Sequence, residues 1–174
     1  MNENEKEKEK EKNEEQEQEQ EKVKKEEQEE IECLKYEEIE GDLFTSEDSL
    51  AHCVSADLGM GKGIAKIFKT KYGGIQDYKK QSIKIGGSGF IKRNGKFIII
   101  LVTKNRYFHK PSYESLEKSL CAMKKICIEK KIKSLSMPKI GCGLDRLEWN
   151  RVSELIKKTF GDLNIAITIY FFNN

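Results

Sequence analysis

Residues 89–106 read Gly-Phe-Ile-Lys-Arg-Asn-Gly-Lys-Phe-Ile-Ile-Ile-Leu-Val-Thr-Lys-Asn-Arg, and this stretch decides the fold class. Asn94-Gly95 is the strongest short hairpin signal, because a two-residue type I′ turn needs positive φ at both of its central positions. It predicts two strands, Gly89–Arg93 and Lys96–Thr103, joined into an antiparallel pair. The run Phe97-Ile98-Ile99-Ile100-Leu101-Val102 reads as a central strand by its β-branched content.

Working outward, the neighbours on both sides alternate in type. Downstream, Ser112–Lys130 is predicted as a long helix, with Leu116, Leu120, Met123, Ile126 and Cys127 spaced for one core face. Ser134–Met137 follows as a short strand, Glu148–Phe160 as a helix and Ile165–Phe172 as a last strand. Upstream, Cys33–Ile39 reads as a first strand, closed by Glu40-Gly41-Asp42, and Ser49–Ser55 as a second, buried one. Lys62–Tyr72 reads as a helix that presents Ile64, Ile67 and Phe68 and stops at Gly73-Gly74. Ile75–Gln81 is another short helical piece. Helices alternating with strands predict a layered α/β fold, and the hairpin makes its sheet mixed.

The chain's 174 residues suffice for one domain with a core. A net charge of +2 hides two unlike parts. Residues 1–30 hold 14 Glu and 7 Lys, a balance of −7, so residues 31–174 carry +9. The first segment has almost nothing apolar beyond Met1 and Val23 and no face to bury, which predicts disorder or a frayed, solvated helix. The fold's own sequence begins near Ile31. Its basic balance suits an anionic ligand. Five cysteines without a C-x-x-C pair, and two histidines, give no zinc-finger spacing and imply reduced thiols in the cytoplasm or nucleus. No apolar run approaches the ~18 residues of a membrane span, and nothing resembles a signal peptide.

In open α/β sheets, ligands bind beyond the carboxyl ends of the strands. Four junctions qualify. Asp42 follows the first strand; such a carboxylate can accept from an exocyclic amine, or simply cap a turn. Ser55-Ala56-Asp57-Leu58-Gly59-Met60-Gly61-Lys62-Gly63-Ile64 is a glycine-rich loop feeding a helix. Its free amides could hold a phosphate, or it could be a plain tight turn. It is neither a P-loop nor G-x-G-x-x-G. Met137-Pro138-Lys139-Ile140-Gly141-Cys142-Gly143-Leu144-Asp145-Arg146-Leu147 is a second such loop, and two loops together suit a diphosphate. Lys104 ends the central strand; out of context it would be a surface charge. Asp145 could equally be a cap or a partner of Arg146. His52, inside an apolar strand, reads as a packed core residue, and His109 as part of a helix-entry loop.

Taken together, these stretches resemble the macrodomain family, in its ALC1-like class. The likeness lies in GDLF (41–44), DSLAHCVSAD (48–57), MGKGIA (60–65), FKTKYGG (68–74), LVTKNR (101–106), HKPSYESL (109–116) and LSMPKIGCGLDRLEW (135–149). It spans about residues 31–172 and leaves out only the charged tail. It implies a three-layer α/β/α sandwich with a mixed central sheet, and ADP-ribose as ligand. Asp42 and Leu43 would lie by the adenine, with Phe172 beside them. Ser55, Gly61, Gly63 and Ile64 would meet the ligand next to the second strand. Lys139, Ile140, Gly141, Cys142, Gly143 and Leu144, running on to Asp145, would wrap the diphosphate and distal ribose.

Lys104 aligns with the family's nucleophile and Asp145 with its acid/base residue. The implied activity is hydrolysis of mono-ADP-ribose from Glu or Asp side chains, through a transient ribosyl-lysine, with deacylation of O-acyl-ADP-ribose beside it. A lysine amine is a potent nucleophile only when neutral. The implied partners are ADP-ribose and mono-ADP-ribosylated proteins, with poly-ADP-ribose left open; no cofactor, metal or membrane is implied, and the chain would act as a monomer. The alternatives are a non-catalytic ADP-ribose reader and an enzyme acting on ADP-ribose 1″-phosphate. Where many macrodomains carry Asn-Ala-Ala-Asn, this chain has Ser55-Ala56-Asp57-Leu58, which fits the lysine subclass rather than the asparagine one.

Overall fold

A computed structural model describes residues 3–30 and 33–173. The chain divides into two compact units, Met1–Cys33 and Leu34–Asn174. The first holds one helix among its described residues, α1 (Glu3–Glu30). Every residue of α1 whose exposure is described is exposed. Its ion pair Lys25–Glu21 is 3.8 Å long with both side chains about three-quarters exposed, a geometry that contributes little to stability.

The second unit runs β1 (Lys35–Glu40), a 3-10 turn (Leu43–Thr45), β2 (Ser49–Ser55), α2 (Gly63–Tyr72), α3 (Ile75–Lys80), β3 (Gly87–Arg93), β4 (Lys96–Lys104), α4 (Tyr113–Glu129), β5 (Ser134–Pro138), α5 (Trp149–Phe160) and β6 (Ala166–Phe171). Its six strands form one sheet in the order β1-β6-β5-β2-β4-β3. Neighbouring strands are parallel except β3 and β4, so the sheet is mixed, as the hairpin requires. Asn94 and Gly95 take φ of 52° and 77°, the positive pair that a type I′ turn demands. β4 lies between β2 and β3, second from the sheet edge rather than at its centre. Being flanked on both sides, and covered on both faces, is what its unbroken apolar run reflects.

The period of two along β4 sorts its side chains into two cores. Ile99 and Leu101 pack with Leu116, Leu120 and Met123 of α4 and with Val152, Ile156 and Phe160 of α5. Ile98, Ile100 and Val102 pack with Phe68 of α2 and Tyr78 of α3. Helices therefore cover both faces, giving the α/β/α sandwich. His52 is fully buried in the second core, stacked on Phe68 at 3.8 Å between ring centroids. Among the described residues all five cysteines are free thiols.

Candidate active site

Parallel strands point their carboxyl ends at one edge of the sheet. The order β1-β6-β5-β2-β4 therefore sets five junctions in a row: Asp42, Phe172, the Lys139–Leu147 loop, Ser55 with its glycine loop, and Lys104. Four inter-strand spacings of about 4.8 Å make this row roughly 19 Å long. The ligand-side residues expected from the sequence thus share one rim, in an order that the chain numbering scrambles.

At one end, Asp42 caps the 3-10 turn, its carboxylate accepting from the Phe44 amide at 3.0 Å. Leu43 is buried in the core and Phe172 is 69% exposed. The Gly41 amide donates to Phe171 O at 2.9 Å, which keeps this corner together.

In the middle lie the two glycine loops. Leu58 and Met60 have φ of 53° and 46°, and their side chains are buried. Non-glycine residues in this region carry backbone strain, here compensated by two apolar anchors. The anchors pin the loop down while Gly61, Lys62 and Gly63 stay exposed. Lys62 occupies the N-cap of α2 and makes no side-chain cap hydrogen bond, so the first amides of that ten-residue helix are left to an incoming group. Ile64 is half-buried against the second core. In the other loop Gly141 has φ of 72°, and a Cβ there would stand 2.9 Å from Leu147. Gly61 and Gly143 differ: a Cβ on either would meet nothing within 4 Å. The loops touch, since a Cβ on Gly63 would lie 3.4 Å from Leu144, itself 63% exposed.

Two predicted contacts take unexpected positions. Ile140 is buried in the first core, so only its backbone faces the rim. The Lys139 ammonium lies over the rings of Phe171 and Trp149, at 4.4 and 5.7 Å from their centroids. Its charge is held by cation–π attraction rather than extended over the loop.

At the other end, Lys104 Nζ meets Asp145 Oδ1 at 2.5 Å, with the side chains only 13% and 15% exposed. The register explains how Lys104 gets there. Val54 pairs with Val102, but Ser55 pairs with Lys104, so Thr103 is skipped as a β-bulge. Without the bulge, Thr103 would stand opposite Ser55. Two thiols, Cys53 and Cys142, interact electrostatically with the charged residues here. Burial, reinforced by Asp145, raises the Cys53 thiol well above its usual range, and burial pushes Cys142 up to about 11 against the opposing charge of Lys139. Both are thiols, not thiolates, at neutral pH.

Asp57 is a residue to which the sequence assigned no role. Its carboxylate accepts from the Ser55 hydroxyl at 2.5 Å, the Gly59 amide at 3.2 Å and the Tyr107 amide at 3.1 Å. Lys110 is another, donating to Leu144 O at 2.9 Å. Both ties connect the loop after β4 to one of the glycine loops. A carboxylate just beyond a strand end was the one available signal for Asp57; Lys110 had none. The residues Ala56, Asp57, Asn105, Arg106 and His109 line an open cavity of about 510 Å³ on this side.

A family model described as "Macro domain" matches residues 51–156. The human protein "ADP-ribose glycohydrolase OARD1" is 51% identical over 134 residues, covering 76% of this chain and 88% of that protein. Among solved structures, the "Macrodomain of Thermus aquaticus DarG" superposes with a TM-score of 0.73 at 22% identity, covering 79% of this chain and 99% of that one. "Thermosipho africanus DarTG in complex with ADP-ribose" gives a TM-score of 0.70 at 28% identity, over 79% of this chain and 41% of that one. The sheet order, the paired glycine loops and these likenesses lead to one conclusion: the chain belongs to the macrodomain family.

Proposed function

We propose that this macrodomain is an ADP-ribose glycohydrolase that frees Glu and Asp side chains of proteins from mono-ADP-ribose, using Lys104 as nucleophile. The observation that carries this reading is the shielded Lys104–Asp145 pair at the end of the ligand rim. A module that only held its ligand would need neither group. The human relative named as an ADP-ribose glycohydrolase and the neighbour titled as an ADP-ribose complex support the ligand and the reaction.

The chemistry follows from the pair. Asp145 takes a proton from Lys104, leaving a neutral amine beside the distal ribose. The amine attacks C1″; the C1″–N bond forms as the C1″–O bond to the acyl group breaks. The leaving group departs as the free carboxylate of the protein side chain, a good leaving group that needs no strong acid. Asp145 gives up to solvent the proton it took. Water then replaces the lysine amine at C1″, the C1″–N bond breaking as the C1″–O bond forms. Asp145 accepts the water's proton and returns it to Lys104, and ADP-ribose is released. The same cradle would serve O-acyl-ADP-ribose, and ends of poly-ADP-ribose present the same distal ribose.

The test is hydrolysis of a Glu-ADP-ribosylated protein by wild type, Lys104→Ala and Asp145→Ala, beside calorimetric titration with ADP-ribose. Wild type should bind and release; both variants should bind without release. Binding with no release by wild type would leave the reader alternative.

A further inference from the structure

We infer that Ser115, on helix α4, is a positioning residue for Lys104, acting through the β-bulge at Thr103; this rests on the reading of Lys104 as the nucleophile. A bulged residue drops out of the strand ladder, and its backbone groups need other partners. Thr103 is 1% exposed, so water cannot supply them. Its carbonyl is met by the Ser115 hydroxyl, which donates at 2.6 Å. Ser115 is itself 8% exposed and sits in the first turn of α4. Its amide donates to the Ser112 hydroxyl at 3.0 Å, and its own oxygen accepts from the Ser112 amide at 3.2 Å, a complete capping box.

Ser115 therefore grips the one residue that the β2–β4 ladder skips, immediately before Lys104. The next turn repeats the motif with different consequences. Ser119 donates to Val102 O at 3.0 Å, but that carbonyl also accepts from the Gly86 amide at 2.7 Å. Thr103 Oγ1 is itself buried, against the Cys53 thiol. Releasing the Ser115 grip lets the ladder close by one residue, which would turn Thr103 toward Ser55 and carry Lys104 away from Asp145.

The test is steady-state kinetics on Ser115→Ala and Ser115→Cys, with Ser112→Ala as control. The cysteine variant keeps the shape but offers only a weak donor, and it decides alone if the alanine variant does not fold. Ser112→Ala weakens the same helix end yet leaves the bond to Thr103 O. Misplacing a reacting group by about 1 Å can cost up to ~100-fold, so both Ser115 variants should lose roughly 10- to 100-fold in kcat. KM and the calorimetric affinity for ADP-ribose should stay unchanged, and Ser112→Ala should keep its kcat. Wild-type kcat in a folded Ser115 variant, or an equal loss in Ser112→Ala, overturns the inference. If Lys104→Ala also keeps full rate, the nucleophile reading is the one that has failed.

Discussion

The backbone amide of Tyr107 donates to the Asp57 carboxylate at 3.1 Å, tying the loop that follows Lys104 to the loop that follows Ser55. Burial opposes the charge on Asp57, but the Ser55 hydroxyl, the Gly59 and Tyr107 amides and Arg106 outweigh it and hold the carboxyl below its ordinary 3.8. A carboxyl depressed in the folded state adds stability above its unfolded pKa and loses it as pH falls toward the folded value. Asp57→Asn should therefore cost about 1–2 kcal/mol at neutral pH, with the gap to wild type narrowing below about pH 4. Urea unfolding at a series of pH values reads this; a gap independent of pH would remove the charged role. Turnover should fall too, because the Lys104 loop loses its tie.

Most of the fold is legible in the sequence, for physical reasons. β2 begins at Ser49 and ends at Ser55 as the apolar run predicts, and Asn94-Gly95 forms the expected turn. Those features are local: a period, a dipeptide. Thr103 shows what was not legible. A bulge has no residue signature, and its partner Ser115 lies on another element. Asp57 and Tyr107 are likewise joined across fifty residues. The family resemblance placed Lys139 beside the diphosphate; that its ammonium lies over two rings, one from α5 and one from β6, has no local signal in the sequence. Leu58 and Met60 adopt positive φ with nothing in their side chains to predict it.

The loop glycines should separate by stability and affinity. Gly143 and Gly61 have room for a Cβ and no positive φ, so alanine at either should leave the melting temperature unchanged or slightly raised. Each methyl would occupy the space in which a ligand approaches the backbone, so ADP-ribose affinity should fall. Gly141→Ala meets both a φ of 72° and a contact at 2.9 Å from Leu147, and should cost roughly 1–3 kcal/mol in stability. Thermal melts paired with calorimetry check this; full affinity in Gly61→Ala and Gly143→Ala would argue against a cradle there.

His52 should set part of the acid limit of the domain. Burial lowers its pKa from 6.5 to about 3, outweighing a hydrogen bond to the Cys53 backbone that favours the charged ring. The unfolded chain therefore binds a proton that the folded one refuses. Stability from the neutral ring is complete above about pH 6.5 and is eroded as pH falls toward 3, by up to about 1.4 kcal/mol per pH unit. His52→Phe keeps a ring on Phe68 and removes the titration. Its stability should fall less than that of wild type between pH 6.5 and 5. Parallel pH curves for the two would show that the ring is not buried neutral.

Lys104→Arg separates charge from nucleophilicity. Arginine preserves a cation beside Asp145 but cannot be deprotonated in a protein. If Lys104 served only to hold the Asp145 loop, the substitution should be mild. If its amine attacks C1″, turnover should fall by roughly 10³-fold or more while ADP-ribose still binds. Asp145→Asn should fail differently, because solvent can still take the Lys104 proton and allow attack, but the water of the second step has no base to finish the reaction. A covalent ADP-ribosyl adduct should therefore build up on Asp145→Asn and be found by mass spectrometry at Lys104. It should be absent from Lys104→Arg and from the Lys104→Arg/Asp145→Asn double variant. The losses should also not add in the double variant, since the two side chains act as one unit across their 2.5 Å contact. Additive losses with no adduct would mean that Lys104 binds the ligand and something else cuts it.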